Sequence, residues 1–322
     1  MSVKATSATA ARPFLVAAFY KFVELTDYED LRAPLQQRCE DLGLLGTILL
    51  ADEGVNGTIS GAPDKVHKLF QRLREDSRFA DLHYKESWAS DNPFYRMRVR
   101  LKKEIVSLGV EGVDPRNKVG QYVAPEDWNA LISRDDVRVV DTRNHYEYEL
   151  GSFARAEDPN TESFRDFPDW VKHKLDPQKD RSVAMFCTGG IRCEKATSYL
   201  LGLGFENVYH LDGGILNYLE TVKAEDSLWQ GDCFVFDNRV TVDHDLEEGD
   251  FDQCPACRMP LSAEDRLSPL FELHVSCPRC HQRLTEPKRE GLLERARQID
   301  LAKARGERHI GAKQKPPKNK NM

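Results

Sequence analysis

The chain has 322 residues, 40% of them apolar and 31% charged, and a net charge of −7. That length exceeds one ordinary hydrophobic core, so two or three soluble globular domains are expected. The longest early apolar run, Phe14 to Tyr20, is far shorter than the ~20 residues of a membrane-spanning helix. The Ser/Ala/Thr-rich residues before it lack a signal core, so no membrane partner is expected and the compartment implied is the cytoplasm.

Residues 1–13 read as a disordered N-terminus. From 14 to 110 the pattern is strand, helix, strand, strand, helix, strand. Phe14 to Phe22 is the first strand, and Tyr28 to Leu42 is a helix ended by Gly43, a residue suited to the position after a helix C-terminus. Gly46 to Ala51 and Asn56 to Ser60 are strands around Asp52-Glu53-Gly54, and Asp64 to Leu73 is a helix entered from Pro63. This order predicts a ferredoxin-like α+β sandwich.

Its last strand alternates sharply, with Arg96, Arg98, Arg100 and Lys102 on one face and Met97, Val99 and Leu101 on the other. Cations ~7 Å apart match the spacing of successive phosphates on a nucleic-acid strand, and Phe94 and Tyr95 are placed to stack on bases. A solvated strand face would more often carry charges of both signs, so RNA contact is the expectation for these four residues.

After a Gly/Pro linker at Glu111 to Arg116, residues 118–226 alternate strand and helix. Val137 to Asp141, Val183 to Phe186 and Val208 to Leu211 read as strands. Helices fall near Tyr146 to Leu150, after Arg192 and from Ile215. Helical crossovers imply a parallel α/β sheet with its chemistry at the carboxyl ends of the strands. Asp141 and Cys187 both fall there.

The richest stretch is Ser182-Val-Ala-Met-Phe-Cys187-Thr-Gly-Gly-Ile-Arg192-Cys193-Glu-Lys195. A buried-type strand ends in Cys187, and a loop then opens a helix, a geometry that aims backbone N–H groups at one anion. With Arg192 adding a positive charge, the thiol is expected below the ~8.5 of a free cysteine and nucleophilic at neutral pH. Thr188, Gly189, Gly190 and Ile191 make a four-residue loop. A phosphatase cradle has five residues between Cys and Arg; the smaller ring suits a persulfide sulfur better than a phosphate. Asp141 and Arg143 are expected to brace the loop. Cys193 either packs the helix or resolves an oxidised Cys187, and Cys39 and Cys233 read as core residues.

Residues 227–287 form a Cys-rich segment with Cys254-Pro-Ala-Cys257 and Cys277-Pro-Arg-Cys280, nineteen residues apart. Two CxxC hairpins at this separation can supply four thiolates to one tetrahedral zinc, a closed and therefore structural site, with His281 left out. From Lys288 to Met322 there are eleven Lys or Arg against four acids, or +7, which leaves −14 on the rest. This basic tail, 288–322, is expected to be partly disordered; it either solubilises the terminus or contacts phosphates.

Several strings taken jointly resemble a known family across nearly the whole chain. They are Phe19-Tyr-Lys-Phe22, Gly46-Thr-Ile-Leu-Leu-Ala-Asp-Glu-Gly-Val-Asn-Gly57, Asp141-Thr-Arg-Asn-His-Tyr-Glu-Tyr-Glu-Leu-Gly151, Phe186-Cys-Thr-Gly-Gly-Ile-Arg-Cys-Glu-Lys195, Gly213-Gly-Ile215 and Phe234-Val-Phe-Asp-Asn-Arg239. The chain resembles the rhodanese-domain tRNA uridine hydroxylases. That resemblance implies an acylphosphatase-like N-terminal domain, a central rhodanese domain, and hydroxylation of the wobble uridine to 5-hydroxyuridine. It also implies molecular oxygen as co-substrate, the tRNA anticodon region as partner, and a persulfide-forming cysteine at Cys187. A sulfur donor is a further implied partner; the redox cofactor is not indicated, and no dinucleotide fingerprint is present. One local departure is Arg155 and Glu157, where similar sequences usually carry a glycine and an apolar residue. Two rival functions share these residues: a plain sulfurtransferase, which has no use for the cationic strand, and a non-enzymatic RNA-binding protein, against which the retained Cys187 and Arg192 speak.

Overall fold

The structure, a computed structural model, describes residues 13–306, and the chain divides into two compact units, 1–249 and 250–322. The disorder expected for residues 1–13 and for the end of the basic tail lies almost wholly outside the described residues.

The first unit opens with β1 (Phe14–Phe22), α1 (Tyr28–Asp41), β2 (Leu45–Ala51), β3 (Gly54–Gly61), α2 (Pro63–Leu73), β4 (Tyr84–Ala89) and β5 (Met97–Leu101). The sheet order β4-β1-β3-β2 is the ferredoxin-like one, and β5 is added beside β2 in parallel. The cationic strand is thus a fifth, edge strand. The true fourth strand, Tyr84–Ala89, is absent from the sequence reading because most of its side chains are at least partly exposed and give weak apolar alternation. Alternation along β1 sends Leu15, Ala17 and Phe19 into a core with Leu35 and Cys39 of α1 and Leu69 and Phe70 of α2. On β5, Met97 and Val99 are buried, whereas Leu101, expected on the packed face, is exposed.

The α/β part that follows comprises β6 (Gln121–Val123), α3 (Pro125–Ile132), β7 (Arg138–Asp141), α4 (His145–Tyr148), β8 (Gly151–Phe153), α5 (Phe167–Lys174), β9 (Ser182–Phe186), α6 (Ile191–Gly202), β10 (Asn207–Leu211) and α7 (Gly214–Thr221). Four strands run parallel in the order β6-β10-β9-β7. Because helices cover both faces, β9 is buried along its whole length. One face packs α3 and α7 through Trp128, Ile132, Ile215 and Tyr218, the other α5 and α6 through Val171, Ala196 and Leu200.

Residues 227–249 belong with the first unit and not, as the sequence reading had it, with the Cys-rich segment. β11 (Trp229–Gly231) pairs with β8, and the hairpin of β12 (Cys233–Phe234) and β13 (Thr241–Val242) puts Cys233, Val235 and Val242 into the core of the α/β part. Arg155 has φ +70°, a left-handed conformation that a glycine adopts more readily. Glu157 forms a two-pronged ion pair with Arg138 at 2.8 and 2.5 Å. Both departures from similar sequences therefore have local partners or geometry.

The second unit contains β14 (Asp252–Gln253), β15 (Pro260–Leu261), α8 (Ala263–Leu267) and α9 (Glu286–Ala304). Much of the basic tail's first half is thus helical. Leu293 and Leu301 of α9 are exposed and Ala302 is buried. Among the described residues no helix is long and apolar enough to cross a membrane.

Candidate active site

β9 ends at Phe186 and delivers Cys187 to a loop held from both sides. Thr142 donates through its N–H and its Oγ1 to the Phe186 carbonyl, each at 3.0 Å. The first amides of α7 hold the loop carbonyls, Ile215 N–H to Cys187 O at 2.9 Å and Leu216 N–H to Thr188 O at 3.1 Å. With the carbonyls turned outward, the amides turn inward. Gly190 N–H donates to Cys187 Sγ at 3.1 Å. Two glycines are needed here for stated reasons. Gly190 has φ +100°, and a Cβ would lie 2.8 Å from the Tyr20 hydroxyl; at Gly214, φ +67°, a Cβ would meet the Cys187 carbonyl at 2.5 Å.

Burial pushes the Cys187 thiol up, but opposing effects win and hold it below its ordinary value. In order they are a hydrogen bond from the Cys193 thiol, the charge of Arg192, and the N–H groups of Cys193 and Gly190. Cys193 moves the other way, driven up by burial and by the neighbouring Cys187 thiolate. Its sulfur also lies 3.5 Å from Thr142 Oγ1. Cys193 is therefore the proton-bearing member of the pair, fully buried in the first turn of α6.

Arg192 does not point its fork at the sulfur. Its Nη1 and Nη2 donate to the two oxygens of Glu147 at 2.8 and 2.7 Å, both side chains being buried. Arg192 thus acts on Cys187 as a nearby charge, tempered by Glu147, a residue the sequence reading missed. Asp141 and Arg143 form a second buried two-pronged pair: Arg143 Nε donates to Asp141 Oδ1 at 2.9 Å and Nη2 to Oδ2 at 2.6 Å, with Nη2 also reaching Gly151 O. The Arg143 guanidinium lies 5.1 Å from the Trp229 ring centroid. These contacts are structural and none is to the sulfur.

Cys187 faces a cavity of about 1200 Å³. Loop residues Thr188, Gly189, Ile191 and Arg192 form one wall, and the open face of the first domain's sheet forms another, through Ala18 and Tyr20 of β1, Thr47 and Leu49 of β2, and Asn56 and Thr58 of β3. Arg98 and Arg100 pair in register with Thr47 and Leu49, so the cationic row extends this same face to the sheet edge. Arg96, Arg98, Arg100 and Lys102 are all exposed. Mutual repulsion among three of them adds to desolvation in lowering the Arg98 pKa.

Two clusters join this sheet to the α/β part. The Tyr20 hydroxyl donates to Glu194 Oε1 at 2.8 Å. Burial pushes the Glu194 carboxyl up, hydrogen bonds from Tyr20 and Tyr122 push it down, and the Cys187 and Asp212 charges push it up again; the net direction is up. Lys195, 2% exposed, lies 2.8 Å from Glu53 and 2.5 Å from Glu104. The string containing Asp52-Glu53-Gly54 thereby meets the string ending in Lys195. Alternation on β1 already put Tyr20 opposite the helix-packed face; nothing in spacing paired it with Glu194.

In the second unit the four sulfurs of Cys254, Cys257, Cys277 and Cys280 lie within 4.8 Å of one another. Cys257 to Cys277 and Cys277 to Cys280 are each 3.7 Å. A tetrahedron with metal–sulfur bonds of ~2.3 Å has edges of ~3.8 Å. The donor set and its size fit a tetrathiolate metal ion such as zinc.

Two family models match in tandem: the UPF0176 acylphosphatase-like domain at residues 14–105 and the rhodanese-like domain at residues 124–221. The chain belongs to the TrhO/UPF0176 family. Among solved structures, it is similar to a rhodanese-related protein from Thermoplasma volcanium, 25% identical over 31% of this chain and 91% of that one, with TM-score 0.27. It is also similar to the rhodanese-like domain of an Anabaena protein, 20% identical over 34% of this chain and 78% of that one, TM-score 0.29. A third is BlrP1 from Klebsiella pneumoniae, 16% identical over 28% of this chain and 24% of that one, TM-score 0.25.

Proposed function

We propose that the chain is an oxygen-dependent tRNA-modifying enzyme that converts the wobble uridine to 5-hydroxyuridine, with Cys187 as nucleophile or persulfide carrier. One juxtaposition supports this best. The Cys187 cradle opens on a cavity whose facing wall is the open side of the first domain's sheet, and that side runs out to the row Arg96, Arg98, Arg100 and Lys102. Phosphates on the row would leave one base free to enter the cavity. A plain sulfurtransferase would use the same cradle and is the second reading; the four-residue loop and the stabilised thiolate suit it equally.

Within the reading, Gly190 and Gly214 let the loop close around sulfur, whereas a side chain at Gly189 would meet only open space; Arg192 and the amides favour the thiolate or persulfide, and Cys193 supplies a thiol hydrogen bond. Replacing C5–H by C5–OH with O₂ also consumes two electrons and two protons, which a reductant of the thiol class can supply. The four C-terminal cysteines would hold zinc structurally, since four thiolates leave no open position. Nucleoside mass spectrometry of tRNA from cells with and without the gene is the direct test. Loss of 5-hydroxyuridine on deletion, restored by the wild-type chain and not by Cys187→Ser, is expected; full restoration by Cys187→Ser would refute the assignment.

A further inference from the structure

Phe236 is 60% exposed and lines the same cavity as Cys187. Burying such a ring is favourable, and this one lies inside a concave site where a bound molecule can cover it. The turn that carries it is pinned on all sides: Val235 N–H bonds to Val240 O at 2.9 Å, Asn238 N–H to Pro93 O at 3.0 Å, and Arg239 Nη1 to Ser87 Oγ at 2.9 Å. Arg239 is itself fixed by a buried two-pronged pair with Asp237 at 2.9 and 2.6 Å. Packing then sets the ring's orientation. Phe234 meets it edge-on at 5.0 Å, Tyr146 meets Phe234 edge-on at 5.2 Å, and the Arg192 guanidinium lies 5.7 Å from its centroid. Arg192 is the residue whose charge acts on Cys187. An exposed aromatic ring on a hydrogen-bonded turn therefore lines the cavity that Cys187 faces, with a buried cation over the ring.

We propose that Phe236 is the stacking platform for the substrate nucleobase, holding it over the Cys187 cradle. The inference rests on the RNA-modifying reading and deepens it. A planar, electron-poor pyrimidine matches an aromatic face of this kind, and such stacking is tolerant of base identity because every base has a π-face. The cationic row on β5 would hold the strand while Phe236 holds the single extruded base, dividing affinity from placement.

The test is a double-mutant cycle on binding, independent of turnover. Full-length wild type, Phe236→Ala and Phe236→Trp are titrated with an anticodon stem-loop RNA bearing uridine at the wobble position, and with the same RNA abasic there. Phe236→Ala is expected to weaken binding of the uridine RNA by about tenfold or more and to leave the abasic RNA unchanged. Phe236→Trp should bind the uridine RNA at least as well as wild type. Equal losses for both RNAs, or none for either, would overturn the stacking role while leaving RNA binding in place. Absence of RNA binding by the wild type would overturn the RNA-modifying reading and the inference with it. If Phe236→Ala changes only self-association in sedimentation, the ring is a protein contact and the inference also falls.

Discussion

Glu147→Gln separates the two tasks assigned to the buried pair beneath the cradle. Glutamine keeps the shape of the side chain and one acceptor oxygen but removes the negative charge that Arg192 meets at 2.7 and 2.8 Å. Arg192 cannot escape by losing its proton, so a buried guanidinium is left uncompensated. Breaking one side of such a pair costs about 3–5 kcal/mol. For a folding unit of this size that lowers the melting temperature by roughly 6–20 °C. The thiol responds with the opposite sign of benefit. Freed of Glu147, the Arg192 charge acts more strongly on Cys187, favours the thiolate, and moves the pH midpoint of its alkylation lower still. Thermal denaturation and pH-dependent iodoacetamide labelling, read at the Cys187 peptide by mass spectrometry, give both numbers from one preparation. The double variant Arg192→Met with Glu147→Leu removes both charges; its stability should return close to wild type while its Cys187 midpoint rises toward the ~8.5 of a free thiol. A Glu147→Gln protein as stable as wild type within ~0.5 kcal/mol, or one whose midpoint rises, would refute this account of the cradle.

Three further outcomes are expected. Replacing Arg98 and Arg100 by Gln should weaken tRNA binding and reduce the log–log salt slope by ~0.7–0.9 per lost phosphate contact, measured by filter binding across a salt series; an unchanged slope would make the strand a solvated face. The four-cysteine cluster predicts about one zinc per chain, seen by metal analysis of metal-replete protein, and chelation or Cys277→Ser should destabilise the second unit without unfolding the first. Lys195→Met strips the shared cation from Glu53 and Glu104 and should cost about 3–5 kcal/mol in urea unfolding. Burial raises the Glu104 carboxyl, but the Lys195 hydrogen bond and neighbouring amides bring it net below its usual range. Its contribution is therefore fully present above pH ~4.3 and fades as pH falls through the lower folded-state value, a dependence that should be weaker in the Lys195→Met protein, which keeps only the Leu108 and Gly109 amides on Glu104.

What could be read from sequence was what local pattern encodes. Strand β9, the loop from Cys187 and helix α6 each follow from a short apolar run, glycines and helical spacing, and the CxxC pairs announce their own grouping. β4 escaped because Tyr84–Ala89 is mostly half-exposed, and residues 227–249 were misassigned because strands of two or three residues leave almost no periodic signal. The larger omission is of pairs distant in sequence. Glu147 lies 45 residues from Arg192, Tyr20 lies 174 from Glu194, and Glu104 lies 91 from Lys195. Each is an ordinary polar residue in the sequence; the folding of the α/β part gives Glu147 its partner, and the packing of the first domain on that part gives Tyr20 and Glu104 theirs. That docking also alters the sense of the recognisable motif. In Arg192-Cys193-Glu194-Lys195, helical rotation turns four consecutive residues to four different tasks: a cation beside the sulfur, a thiol beside it, a carboxyl facing the cavity, and an ammonium locked to the first domain. A cradle that served sulfur transfer alone would need the first two. The last two tie the reactive cysteine to a second domain whose open sheet face forms the opposite wall, and a substrate long enough to touch both is what that arrangement accommodates.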